Sequence, residues 1–164
     1  MERPPYALDD AALLAQCQQQ TLRGGGPGGQ HANRTESGVR LVHALGVTAE
    51  SRTHREQPRN RAEALRTLRV RLACTLRGQS DPAWLEPHRR GGRLLAGPNA
   101  QDWPCLAAVL LDALAEQAGE LGPAAAGLEL TTSQLVKALT SDGDVHQAVN
   151  ALRAAHGKGP VHGR

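Results

Sequence analysis

The spacing of apolar residues changes several times along the chain, and each change predicts an element. Asp9 or Asp10 can cap a short helix over Ala11 to Cys17, with Leu13 and Leu14 on its buried side. Gln18 to Arg23 is polar and reads as an extended run into a glycine-rich stretch. Val39-Arg-Leu-Val-His43 and Val47-Thr-Ala-Glu-Ser51 predict two strands joined by a turn at Ala44 to Gly46. A long helix follows from about Arg59 to Arg77, where Ala62, Leu65, Leu68, Leu72 and Leu76 recur at three- and four-residue steps. Arg59, Arg66 and Arg69 fall off that stripe and are expected to face solvent or phosphate.

Residues 78–104 are rich in Gly, Pro and Arg and read as a boundary, with Trp84 and Trp103 expected to pin its ends. Beyond it the period is helical throughout. Leu106, Val109, Leu110, Ala113 and Leu114 predict an amphipathic helix, followed by a turn at Pro123 to Gly127. Thr131 or Thr132 can cap a helix carrying Leu135, Val136 and Leu139. Asp142 can cap a last helix with Val145, Val149 and Leu152, ending near Gly157. The expected fold class is α+β: a small sheet-plus-helix domain over 1–80, a linker over 81–104, and an all-helical domain over 105–164 with a short basic tail. The short helices and tight turns are helix-turn-helix-like, with Thr132 to Leu139 in the recognition position.

Composition narrows the partners. The 164 residues include no Phe, one Tyr and two Trp, so stacking of bases on aromatic rings is nearly excluded. No apolar run approaches a membrane span, and Met1-Glu-Arg-Pro-Pro5 has no signal-peptide core, so no membrane partner is expected. Cys17, Cys74 and Cys105 fit neither a disulfide framework nor a zinc site, which suits a cytoplasmic protein. The net charge of +3 is unevenly spread. Residues 23–77 hold eleven Arg against four Glu, whereas residues 99–164 hold four cations against seven acids. Basicity clustered in the first segment is the electrostatic footprint of a nucleic-acid partner. The acidic balance of the second, with Lys137 as its recognition helix's one cation, argues against DNA reading and leaves structural support or a protein partner.

The basic segment contains Arg23-Gly-Gly-Gly-Pro-Gly-Gly-Gln-His-Ala-Asn-Arg-Thr-Glu-Ser-Gly-Val-Arg40. Glycine lets a backbone come close to a ligand. A bare linker would continue with Ser and Gly, but Asn33, Arg34 and Arg40 follow instead. Gly24-x-Gly26-x-x-Gly29 formally matches a dinucleotide fingerprint, yet no buried parallel strand precedes it and no apolar helix opens after it. A P-loop fails because Gln30-His31 stands where Lys-Ser/Thr is required.

The run resembles the GGQ loop of class I peptide chain release factors. Arg23, Gly26, Gly28, Gly29, Gln30, Asn33, Ser37, Val39 and Arg40 meet the family pattern, with Gly25 where Ser or Ala is usual and Arg34 where Lys is usual. Arg55-Glu-Gln-Pro-Arg-Asn-Arg-Ala-Glu-Ala64 is similar to the family's Arg-Ser-Gln-x-x-Asn-Lys-x-x-Ala, and the likeness covers about residues 13–77. The resemblance implies hydrolysis of the peptidyl-tRNA ester in the ribosomal peptidyl-transferase centre. Gly28, Gly29 and Gln30 would be the catalytic residues, with the Gln30 backbone N–H on the developing oxyanion and its side chain admitting water. His31 would pack on RNA rather than act as a base. Arg23, Asn33, Arg34 and Arg40 would contact rRNA or tRNA, and Arg55, Arg59 and Arg61 would extend that surface. Such chemistry needs no metal and no cofactor.

Full-length factors carry a codon-reading domain, whereas 22 residues precede Arg23 here. The expectation is therefore a codon-independent, ribosome-rescue member. Ser133-Gln-Leu-Val-Lys137 and Val149-Asn-Ala-Leu-Arg153 look like the C-terminal extension of short release-factor-like proteins. Rescue proteins usually end in a long basic tail, but His156 to Arg164 holds two Lys/Arg residues. The alternative is a non-catalytic ribosome- or RNA-binding protein that keeps the release-factor fold.

Overall fold

A computed structural model of the protein describes residues 2–23 and 36–163. The chain divides into two compact units, residues 1–72 and 73–164.

In the first unit a 3₁₀ turn at Pro5–Ala7 leads to helix α1, Asp10–Ala15. The Asp9 carboxylate accepts from the Ala12 N–H at 2.8 Å, which satisfies one of the amides a helix start leaves unpaired. Leu13 is fully buried and Leu14 half-buried. The helix stops short of Cys17, because Cys17 already opens strand β1, Cys17–Leu22. The polar run expected to be merely extended is thus a paired strand. Its Gln side chains stay exposed while its backbone pairs with β2, Gly38–His43, which pairs in turn with β3, Thr48–Ser51. The result is a three-stranded antiparallel sheet in the order β1-β2-β3. Gly46, at φ +81°, turns the chain between β2 and β3.

Val39, Leu41 and His43 alternate onto the buried face of β2, and Ala49 and Ser51 do so on β3. His43 is held as one tautomer. Nδ1 accepts from the Leu45 N–H at 3.1 Å, so Nε2 carries the proton and donates to Gln16 Oε1 at 2.8 Å. Burial pushes its pKa down, in keeping with the neutral ring.

Helix α2, Gln57–Thr75, begins two residues before the expected start. Ala64, Leu65, Leu68 and Leu72 are buried, but Ala62 is exposed and Leu76 lies past the helix end. The buried stripe starts instead at Asn60, four residues before Ala64 and wholly enclosed. Arg69, expected to face solvent or phosphate, is used internally. Its guanidinium donates to the carbonyls of Tyr6 and Leu8 and pairs with Asp10 at 2.6 Å, tying α2 to the N-terminal segment.

The second unit begins at Ala73, so the stretch expected as a linker lies within it. A 3₁₀ helix covers Pro82–His88, capped by Asp81 on the Ala83 N–H, and contributes the buried Leu85. Strands β4, Arg89–Arg90, and β5, Arg93–Leu94, form a small antiparallel ribbon.

Helix α3, Trp103–Glu116, is buried along almost its whole length, including Trp103, Leu106, Leu110 and Leu114. It is the central helix of this unit rather than an amphipathic one, because its polar residues fall mainly at its C-terminal end. The expected turn at Pro123 is part of helix α4, Leu121–Gly127. Pro123 is the third helical residue, where an N–H would find no acceptor within the helix anyway, so the ring breaks nothing. Helices α5, Thr132–Thr140, and α6, Gly143–Ala155, follow with the expected caps: Thr131 Oγ1 on Gln134 N, and Asp142 on the amides of Asp144 and Val145. Asp142 also accepts from the Trp103 indole at 3.2 Å. Beyond α6 the chain folds back: Val161 donates to Asn150 Oδ1 at 2.8 Å, and Lys158 pairs with Glu120 at 2.5 Å.

Candidate functional site

The first unit's distinctive construction is the base of the connection between β1 and β2. The ladder pairs Leu22 directly with Gly38, so the intervening chain leaves and re-enters the sheet at opposed positions. Gly38 is required there for space. A Cβ on it would lie 2.8 Å from the Leu22 carbonyl oxygen and 3.1 Å from the Arg52 side chain.

Next to Gly38, the backbone is fixed from α2. Asn60 Nδ2 donates to the carbonyls of Ser37 and His54, each at 2.8 Å. Asn60 Oδ1 accepts from the His54 N–H at 2.9 Å, and the Ser51 hydroxyl oxygen lies 3.0 Å from it. Both N–H donors of the amide are used, and its oxygen has a backbone donor. Gln57 Nε2 adds a bond to the Glu36 carbonyl at 3.3 Å, and Ser37 Oγ reaches the His54 carbonyl at 3.4 Å. One enclosed side chain therefore joins the loop base, the segment after β3 and the start of α2. Gln57 and Asn60 stand in the Arg55–Ala64 segment, whose pattern alone assigns them no role. The available signal was a polar residue on the same face as Ala64 and Leu68, since a buried amide must find partners.

Beside this amide lies a second cluster. Glu63 Oε2 accepts from the hydroxyls of Ser51 and Thr53, both at 2.5 Å, and lies 3.3 Å from His54 Nε2. Those hydroxyl bonds, with the nearby imidazole, hold the Glu63 carboxyl below its ordinary range. The arrangement is not a nucleophilic triad. Ser51 donates straight to the carboxylate and no imidazole stands ready to take its proton.

Gly28, Gly29, Gln30, His31, Asn33 and Arg34 lie outside the described residues. Arg23 is exposed directly after β1. Arg55 and Arg59 are exposed and neighbour His54 and Asn60, so the amide network gathers them near Ser37. Arg59 lies 3.9 Å from Glu56, at the limit of an ion pair. Arg61 is half-buried, and its Nε has no hydrogen-bond partner among the described residues. Arg40 lies further along β2, with its Nε 3.3 Å from Glu50, which also serves Arg52 at 3.5 Å. Exposed pairs of this kind are worth little in water and are open to exchange for an external anion.

Among the described residues no cluster of three or more His, Cys, Asp or Glu side chains could hold a metal ion. No helix among them is long and apolar enough to cross a membrane. The second unit has a cavity of about 220 Å³ beside Asp112 and Glu116. Asp112 is already committed to Arg77, to the Gly78 N–H and to the Ser80 N–H.

Residues 14–90 match the RF-1 domain. Peptide chain release factor 1 of Dictyoglomus thermophilum is 48% identical over 54 residues, covering 32% of this chain and 15% of that protein. Peptide chain release factor 1 of Xylella fastidiosa is 44% identical over 64 residues, or 38% of this chain and 18% of that protein. Peptide chain release factor 2 of Acidithiobacillus ferrooxidans is 47% identical over 53 residues, or 32% and 14%. The chain thus spans less than a fifth of the length of these relatives. Through residues 14–90, which contain the glycine-rich connection and the amide-locked base, the chain carries an RF-1 domain and is similar to class I peptide chain release factors.

Proposed function

We propose that the protein hydrolyses the ester of peptidyl-tRNA in the ribosomal peptidyl-transferase centre, as a codon-independent ribosome-rescue factor of the cytoplasm. The observation that supports this reading most is the sequence Gly28-Gly29-Gln30 within an RF-1 domain, in the connection whose base Asn60 holds. Ester hydrolysis is acyl transfer to water, with negative charge developing on the carbonyl-derived oxygen. The Gln30 N–H donates to that oxygen in the transition state, and Gly28 and Gly29 permit the backbone that presents it. The Gln30 side chain favours water over bulkier nucleophiles. Arg23, His31, Asn33, Arg34, Arg40, Arg55, Arg59 and Arg61 hold rRNA or tRNA phosphate and sugar. Binding and orientation come from cations, catalysis from a fixed dipole, and neither step draws on a metal or cofactor.

The test is single-turnover peptide release from ribosomes carrying peptidyl-tRNA on a truncated message, compared with stop-codon ribosomes. Release on the truncated message is expected, and Gly28→Ala or Gly29→Ala should lower it by about 10²–10³-fold. No release from any complex, or release indifferent to both substitutions, overturns the reading.

One observation favours a second reading, a non-catalytic ribosome- or RNA-binding protein. Lys158, a cation of the terminal segment, is engaged by Glu120 within its own unit. Ribosome binding that survives Gln30→Ala, with no hydrolysis by either form, would support it.

A further inference from the structure

The second unit is acidic beyond residue 98, yet three arginines occupy residues 89–93, and the fold arranges them unusually. Arg90 and Arg93 are register partners across the β4–β5 ribbon, and both are exposed. Gly91 and Gly92 join them at φ +56° and +73°, a tight two-residue hairpin that demands positive φ at both positions. Like charges directly opposed on a sheet repel. Neither Arg90 nor Arg93 has an ion-pair partner among the described residues, whereas Arg89 pairs with Glu129 at 2.8 Å. The tip therefore keeps two facing guanidinium groups uncompensated, an arrangement that an external anion bridging them would relieve.

The ribbon is also fastened to a particular place. The Thr131 N–H donates to the Gly92 carbonyl at 3.0 Å, and Arg89 donates to the Leu128 carbonyl at 3.0 Å. Gly92 lies so close that a Cβ on it would meet Thr131 Cγ2 at 3.3 Å. These bonds hold the two arginines beside the first turn of α5, where Thr131, Thr132 and Ser133 are exposed. Lys137, also exposed, is four residues after Ser133 and shares its helix face. Counting cations along α5 alone finds only Lys137, in its last turn; the ribbon brings two more to its first turn.

We propose that the β4–β5 ribbon and the first turn of α5 form a docking surface for the phosphate–ribose backbone of folded RNA. Directly opposed residues have Cα atoms about 5 Å apart, so two guanidinium forks can take neighbouring phosphates of one strand. The side-chain-free Gly-Gly tip lets that strand come close. Threonine and serine hydroxyls are suited to the 2′-hydroxyl beside each phosphate, which RNA has and DNA lacks. An acidic protein would match the arginines but would make no use of a row of small hydroxyls. This surface belongs to the second unit and does not depend on the peptide-release reading.

The test uses the full chain and its Arg90→Glu/Arg93→Glu double variant. Binding to a fluorescent RNA hairpin, a DNA duplex of the same sequence and a poly-glutamate peptide is measured between about 50 and 200 mM salt. The proposal expects RNA affinity to fall at least about tenfold in the variant, with log K against log salt flatter by about one to two. DNA should bind more weakly than RNA and lose less. A Thr132→Ala/Ser133→Ala variant should narrow the preference for RNA over DNA. Unchanged RNA affinity and slope, equal loss on DNA, or a loss confined to the peptide overturns the proposal. Because both substitution sites are exposed and the wild-type pair is repulsive, melting of the variant should match wild type, which separates lost binding from lost folding. Peptide release does not enter the readout, so a chain that hydrolyses nothing still tests the surface.

Discussion

Asn60 on α2 donates a hydrogen bond to the backbone carbonyl of Ser37 across 2.8 Å, although 23 positions separate them in sequence. Its bonds to the His54 carbonyl and from the His54 N–H leave neither end of the amide unsatisfied, and the side chain has no exposure to water. The relationship ties the β1–β2 connection to α2 through one side chain, beside the Leu22–Gly38 pairing and the Gln57 bond to Glu36.

Truncating that residue should therefore be costly. Asn60→Ala leaves the Ser37 carbonyl and the His54 N–H without their Asn60 partner, and the His54 carbonyl with only the Ser37 hydroxyl at 3.4 Å. With about 1–3 kcal/mol for a buried polar group left unpaired, the loss is expected at roughly 3 kcal/mol or more. Asn60→Asp keeps the acceptor side but removes both donors and adds charge facing two carbonyls, so it should be little better. Urea denaturation of the three proteins measures the difference, and a loss below about 1 kcal/mol for Asn60→Ala would contradict the network.

Gly38→Ala tests space rather than hydrogen bonding. The obstructing atom is a backbone oxygen of the paired strand, which cannot rotate away. A destabilisation of about 1–3 kcal/mol is expected. Gly97→Ala is the control: a Cβ there meets nothing within 4 Å, and the residue is not at positive φ. A calorimetric melt should show a lowered Tm for the first substitution and almost none for the second.

The pH dependence of stability should show two windows with the same sign. His43 has its pKa depressed by burial below the ordinary 6.5, so the neutral form favours folding. That contribution is complete above 6.5 and is lost as pH falls from there through the folded value. Glu63 has its pKa depressed chiefly by the Ser51 and Thr53 hydroxyls, below the ordinary 4.5. Its contribution is complete above 4.5 and is lost as pH falls through its lower folded value. Glu63→Gln should flatten the acid limb only, leaving the limb near neutrality intact. Unfolding free energies across both ranges check this, and an unchanged acid limb in the variant would refute the assignment.

In the second unit, Asp112 is nearly buried and accepts from Arg77 and from two backbone amides. Asp112→Ala removes the acceptor from all three and is expected to cost roughly 3 kcal/mol. Asp112→Asn, which retains one carbonyl oxygen, should recover part of that. Circular dichroism melts of the two variants give the comparison.

Much of this was legible in the chain itself. β2, β3 and the last two helices announced themselves through alternation, periodicity and oxygen-bearing caps at Thr131 and Asp142. What failed to announce itself has a common cause: the deciding partner is remote in sequence. β1 is a run of glutamines that becomes a strand because β2 offers a ladder, not because its side chains favour one. Arg69 looked like a surface cation, and only the return of Tyr6, Leu8 and Asp10 to α2 turns it inward. Helix α4 is obscured in the sequence because Pro123 to Gly127 suggests a turn, although a proline in the first helical turn is harmless. At the loop base the motif gave the letters of Gln57 and Asn60, but their work depends on Glu36, Ser37 and His54 arriving from elsewhere.

The pairing of Leu22 with Gly38 also bears on how such a protein can change. Both roots of the insert are clasped to each other by the ladder, with the Asn60 amide as a second fastening beside them. Rewriting or exchanging everything between those roots would leave the clasp whole, so selection can alter the tip's chemistry while the scaffold is inherited intact.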